Sequence, residues 1–174
     1  MRALTLIHVA ISLAGILSGF VVLYGMLTAQ RLPGWTKVFL ITTVLTSVTG
    51  FFFPIHGITP ALITGVVSLI ALAIAIYARY VRQLTGGWRK GYVISAVFAF
   101  YLNVFVLVVQ LFQKIPALKE ISPTQNDPPF KITQLVVLLA FFTLGVIAAI
   151  KFHDRPVVGR NASQTKPAKL VIFM

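Results

Sequence analysis

Phe51-Phe52-Phe53-Pro54-Ile55-His56-Gly57-Ile58-Thr59-Pro60 carries no Lys, Arg, Asp or Glu. Its prolines and glycine break helix on both sides of His56. On either side lies an apolar run long enough to cross a bilayer. Cytoplasmic turns between spans collect Lys and Arg, so a charge-free turn belongs on the outer face. Read outward from it, the chain is predicted to be all-α: a polytopic membrane protein built as a bundle of five transmembrane helices over residues 1–153. A flexible basic cytoplasmic tail is expected over 154–174.

Composition supports this. The chain has 174 residues, 58% of them hydrophobic and 10% charged, with a mean hydropathy of +0.94. Soluble domains carry about 25% charged residues. So large an apolar excess exceeds what one small core can bury, and lipid must solvate much of the surface. The net charge is +12, but the cations flank apolar runs and form no patch on a folded domain. Nucleic acid is therefore not an expected partner. Lipid headgroups, anionic ones included, are. A chain with no cysteine has no disulfide, thiolate metal site or iron–sulfur cluster.

The spans are expected at Leu4–Ala29, Trp35–Phe53, Ala61–Tyr80, Tyr92–Gln113 and Ile132–Phe152. The first, about 39 Å long as a helix, outruns a signal-peptide core, and Leu27-Thr28-Ala29 lacks a small residue at the first cleavage position, so it is read as a span. Gly15-Ile16-Leu17-Ser18-Gly19 is a GxxxG match, which predicts a close-packed face. In the second span Thr42, Thr46 and Gly50 share a face, and in the third so do Thr64, Ser68, Ala71, Ala75 and Ala78. Both stripes read as helix–helix seams in preference to a polar pathway or pore lining, with the hydroxyls of the second span returned to their own helix carbonyls. Asn103 and Gln110, two turns apart, should point with Gln113 into the bundle, since amides in lipid need partners. The loop Ile115–Phe130, with its four prolines, is expected to interrupt helix.

Orientation follows from charge. Eleven of the 15 Lys and Arg fall on the side of the first turn, the third-to-fourth turn and the tail; Arg2, Lys114, Lys119 and Lys131 fall on the other. The positive-inside rule then places the N-terminus outside and the C-terminus in the cytoplasm of a multi-pass cell inner-membrane protein.

That topology brings polar residues to the outer end. His8 lies one turn inside the first span, with Ser12 on the same face and in position to bond it; His56 is in the turn. Gln110, Gln113 and Gln134 lie at the outer ends of their spans, and Asp127, beside Gln125 and Asn126, is in the long loop. His8 is the ionisable residue set well inside an apolar span, and such residues mark function in membrane proteins. The plainer reading makes it a neutral imidazole satisfied by Ser12, a carbonyl or the loop, with His56 in water. A second reading makes His8, Ser12, His56, Gln110, Gln113, Gln134 and Asp127 an outward-facing polar pocket for a small amphiphile, such as a quinone or lipid headgroup, on a non-catalytic binding or accessory subunit. A third gives His8 and His56 to a b-type haem in a redox membrane protein. A zinc site would need two further ligands, with Asp127 the one carboxylate suited to it. No catalytic motif or phosphate-binding loop stands out. A membrane-protein partner, or a second copy of the chain, fits the small-residue seams. The spans show no repeat.

Overall fold

The computed structural model describes the backbone of residues 2–53 and 60–152, and the side chains of 3–53 and 62–152. His56 and the expected tail lie outside these residues. Among the described residues the chain is all-α, with no strand. The helices are α1 (Arg2–Leu27), α2 (Pro33–Gly50), α3 (Pro60–Ile76, continued by a π-helical turn at Tyr77–Val81), α4 (Trp88–Lys114), the short α5 (Pro116–Ile121) and α6 (Pro128–Lys151).

The prolines bear out the break after α4 but change how the next helices begin. Pro116 opens α5, and Pro128 and Pro129 open α6, each in the first turn. A first-turn N–H has no intrahelical acceptor, so proline loses nothing there. Hence α6 begins four residues ahead of the expected Ile132, and the expected loop contains a helix.

Among the described residues four helical stretches are long and apolar enough to cross a membrane: Ala3–Leu27, Leu62–Val81, Trp88–Lys114 and Pro128–Lys151. The chain is a helical membrane protein. The expected fifth span, α2, is not among the four. It has 18 residues, and Lys37 and the hydroxyls of Thr36, Thr42, Thr43, Thr46, Ser47 and Thr49 dilute its apolar character. Yet α2 lies antiparallel along nearly the whole of α1. His8 meets Thr49, Gly15 faces Thr42 and Gly25 faces Leu32. It therefore occupies the same depth as α1 and belongs to the bundle through its partner.

The neighbours continue antiparallel. Ser47 of α2 donates to Ser68 of α3 at 3.3 Å, and Tyr77 at the end of α3 packs edge-on against Trp88 at the start of α4. Helix α4 is the central member, touching α1, α2, α3 and α6. Lipid gives no hydrophobic drive for one helix to join another, so close packing and polar contacts must hold the bundle. Both appear. Ser68, Ala71, Ala75 and Ala78 are buried as the α3 seam. Gly15 faces α2, and a Cβ on Gly19 would lie 2.6 Å from the Phe100 ring of α4. The GxxxG face is thus an intramolecular seam. Phe100 is buried among Phe20, Phe39 and Phe141, with ring centroids at 4.9, 5.9 and 5.0 Å. Outside, Leu17, Ile70, Ile94 and Phe142 are exposed, an apolar surface suited to lipid.

Candidate functional site

Polar contacts line the half of the bundle that holds the start of α1 and the end of α4. Deepest is Asn103, whose side-chain amide donates to the fully buried Thr43 hydroxyl at 3.2 Å. This bears out the inward direction expected of Asn103. Nearer the end, Gln134 of α6 is 8% exposed and donates from Nε2 to the Phe105 carbonyl of α4 at 3.1 Å. Its Oε1 is buried with no hydrogen-bond partner.

His8 is half-buried, and its Nδ1 lies 2.8 Å from the Thr49 hydroxyl oxygen. The Thr49 hydroxyl also lies 2.7 Å from the Leu45 carbonyl, the usual i−4 acceptor of a helix hydroxyl. With its proton there, Nδ1 carries the hydrogen and donates to Thr49. Neutral His8 is then the Nδ1–H tautomer, and its Nε2 lone pair is an acceptor. The ring also stands edge-on to Phe53, 5.2 Å between centroids. Gly50 passes close beside it: a Cβ there would lie 3.8 Å from Cε1.

The other expected site residues divide. Ser12 shares the face of His8 but donates to its backbone carbonyl at 2.7 Å, the usual i−4 bond of a hydroxyl in an apolar helix. Gln110 is half-buried and Gln113 exposed; ten residues from Asn103 amounts to 280° around a helix at about 100° per residue, which turns Gln113 off the shared face. Asp127 works locally, its carboxylate accepting from the Thr124 N–H at 2.7 Å and hydroxyl at 2.9 Å. The Thr124 N–H, then its hydroxyl, hold the Asp127 carboxyl below its ordinary range. The loop closes on itself through these bonds. His56 lies outside the described residues.

Sequence reasoning missed Thr49 as the partner of His8. The turn near Thr28–Leu32 narrows the partner of His8 only to the last two turns of the second span; the register that selects Thr49 comes from the packing of Gly15 on Thr42 and Gly25 on Leu32. No group of three or more His, Cys, Asp or Glu among the described residues is placed to hold a metal ion.

The arrangement joins two acceptors, His8 Nε2 and Gln134 Oε1, to a polar seam at one end of an apolar bundle. Compared with known proteins, the chain matches no family model, no curated protein and no solved structure.

Proposed function

We propose that this helical membrane protein is a non-catalytic binding or accessory subunit of the cell inner membrane, multi-pass, with its N-terminus outside and its C-terminus in the cytoplasm. Its outward end takes the head of a small amphiphile that carries an O–H or N–H donor. The observation that carries this reading is the unpaired amide oxygen of Gln134. A buried acceptor without a partner costs about 1–3 kcal/mol, and a ligand donor relieves that cost. His8 Nε2 offers a second acceptor at the same end. Quinols and lipid glycerol hydroxyls have the required donors, whereas quinones have acceptors alone.

Orientation is tested by reporters fused to the C-terminus of the full chain. One active only in the cytoplasm should work there, and one active only outside should stay silent; the reverse pattern removes the outward placement of His8. Binding is tested by melting the purified full chain in detergent with two donor-bearing probes, a decyl quinol and a monoacylglycerol, and with the matching quinone. At about 100 Kd of ligand a bound state gains about 2.7 kcal/mol, so a rise of several degrees is expected with at least one donor probe. The quinone should give less, and Gln134→Leu should abolish the gain. No shift with either donor probe, or the same shift in Gln134→Leu, overturns the reading.

The tautomer of His8 also favours a second reading, since haem iron takes a neutral imidazole nitrogen whose partner nitrogen is hydrogen-bonded. His8 and His56 would then be the axial pair. A Soret band in the purified protein, lost in both His8→Ala and His56→Ala, would replace the amphiphile with haem.

A further inference from the structure

The tyrosines of the chain do not share one depth. Tyr24 lies in the last turn of α1, Tyr77 and Tyr80 in the π-helical turn that ends α3, and Tyr92 one turn into α4. All four sit at the end of the bundle opposite His8, where a phenol has the water interface beside it. Tyr101 does not. It is the midpoint of α4, about 20 Å of helix from either end at 1.5 Å per residue. The hydrocarbon core is about 30 Å thick, so Tyr101 stands near its middle, beyond the reach of water from either face.

The Tyr101 ring packs on Phe98, on Phe105 and on Phe141 of α6, with centroids 6.3, 6.1 and 5.9 Å away. Its hydroxyl has no hydrogen-bond partner among the described residues. Nor is that hydroxyl enclosed: the buried oxygens without a partner belong to Thr46 and Gln134. A phenol open to hydrocarbon forgoes a bond that nothing in an acyl chain can make. Phospholipid carries its polar atoms at headgroup depth, so the missing partner has to come from another molecule that reaches the middle of the membrane.

Tyr101 belongs to a lengthwise strip of α4. Ile94, Phe98, Tyr101 and Phe105 are spaced to share one side of the helix. Ile94 and Phe98 are exposed, and Tyr101 and Phe105 half-buried. Helix α1 is on the other side: its Gly19 approaches Phe100, which is about 200° of helix away from Phe98. The Phe98 and Tyr101 rings are 26° from parallel and present a flat aromatic face.

We infer that this strip is the interface with a second copy of the chain, and that the two Tyr101 hydroxyls hydrogen-bond each other. Copies inserted the same way up are related by a two-fold axis along the membrane normal. Every residue then keeps its depth, and one beside the axis meets its own copy. Few polar groups can bond their own copy, because like charges repel. A hydroxyl can, one donating and the other accepting. Helices in lipid associate through close packing and polar contacts of this kind, and the flat aromatic face supplies the packing. The inference does not rest on the amphiphile site, and it holds for either orientation of the chain.

The test uses the full chain in its membrane. It has no native cysteine, so an introduced one reports alone. Phe98→Cys and Ile94→Cys should each cross-link on mild oxidation to a species of twice the chain mass. Leu17→Cys, exposed at similar depth on α1, should not. In detergent, Tyr101→Phe removes the hydroxyl and keeps the ring. It should weaken dimerisation about 3–30-fold, the range for one hydrogen bond between membrane helices, and leave the melting temperature of the dilute monomer unchanged. No cross-link at either strip position, or as much at Leu17→Cys, overturns the inference. So does a cross-linked species of any other mass, which would assign the strip to a different membrane protein. A dimer fraction unmoved by Tyr101→Phe overturns it as well, and a lowered monomer melting temperature in that variant would place the hydroxyl's partner within the chain.

Discussion

Phe100→Ala is expected to be among the most destabilising single substitutions in the bundle. Its ring is 1% exposed and stands edge-on to Phe20, Phe39 and Phe141. Each such aromatic pair contributes about 0.5–1.5 kcal/mol beyond the area it covers. In soluble proteins a buried Phe→Ala costs about 3–5 kcal/mol. Part of that is transfer out of water, and a phenylalanine in lipid has no water to escape. The packing and cavity terms remain, so a loss of about 2–3 kcal/mol is expected, read as lowered thermal or denaturant stability in detergent. A loss under about 1 kcal/mol would mean that the four rings are not the central tie of the bundle.

Gly19→Leu should be comparably damaging for the opposite reason. The first carbon it adds would already lie 2.6 Å from two atoms of the Phe100 ring. That ring is hemmed in by three others, so α1 must lift from α4. Overpacking of this kind costs about 1–3 kcal/mol and sometimes more. Gly15→Leu meets Thr42 Oγ1 at 3.2 Å, a looser contact, and should cost less than Gly19→Leu. The decisive measurement is the double variant Gly19→Leu/Phe100→Ala. The leucine then enters the space the ring has left, and the combined loss should fall short of the sum by about 1–3 kcal/mol, as for residues in direct contact. Additivity within about 0.5 kcal/mol would separate the two residues and remove the seam.

Much of the architecture was legible because a bilayer restricts the options. Backbone groups in hydrocarbon must be bonded internally, so long apolar runs can only be helices. The α3 stripe, the glycines of α1 and the inward Asn103 could be read because spacing alone puts residues on one face. Two kinds of feature could not. Helix starts at Pro116 and Pro128 were hidden because proline both ends and opens helices, and which it does depends on the chain around it. The π turn was hidden because no composition marks it; it is a change in winding. Among site residues, His8 was legible from its position in an apolar span. Its bond to Thr49 required the register of α1 on α2, and the conversion of that bond into a tautomer required knowing where the Thr49 proton goes. Gln113 and Asp127 were drawn in by the topology that puts both at the outer end, and geometry gives one to the surface and the other to its own loop.

The wide turn at Tyr77–Val81 makes the end of α3 unusually tolerant of a change in length at that one place. The turn holds one residue more than the ordinary pitch would, so loss of one residue there lets the winding relax while the positions on either side keep their faces. Loss of one residue earlier in α3 has no such slack: the positions beyond it swing by roughly a quarter of a circle, carrying Ala78 out of the seam and Arg79 off the Tyr92 ring. Two shortenings that hydropathy cannot tell apart would thus differ sharply, one absorbed and the other disruptive.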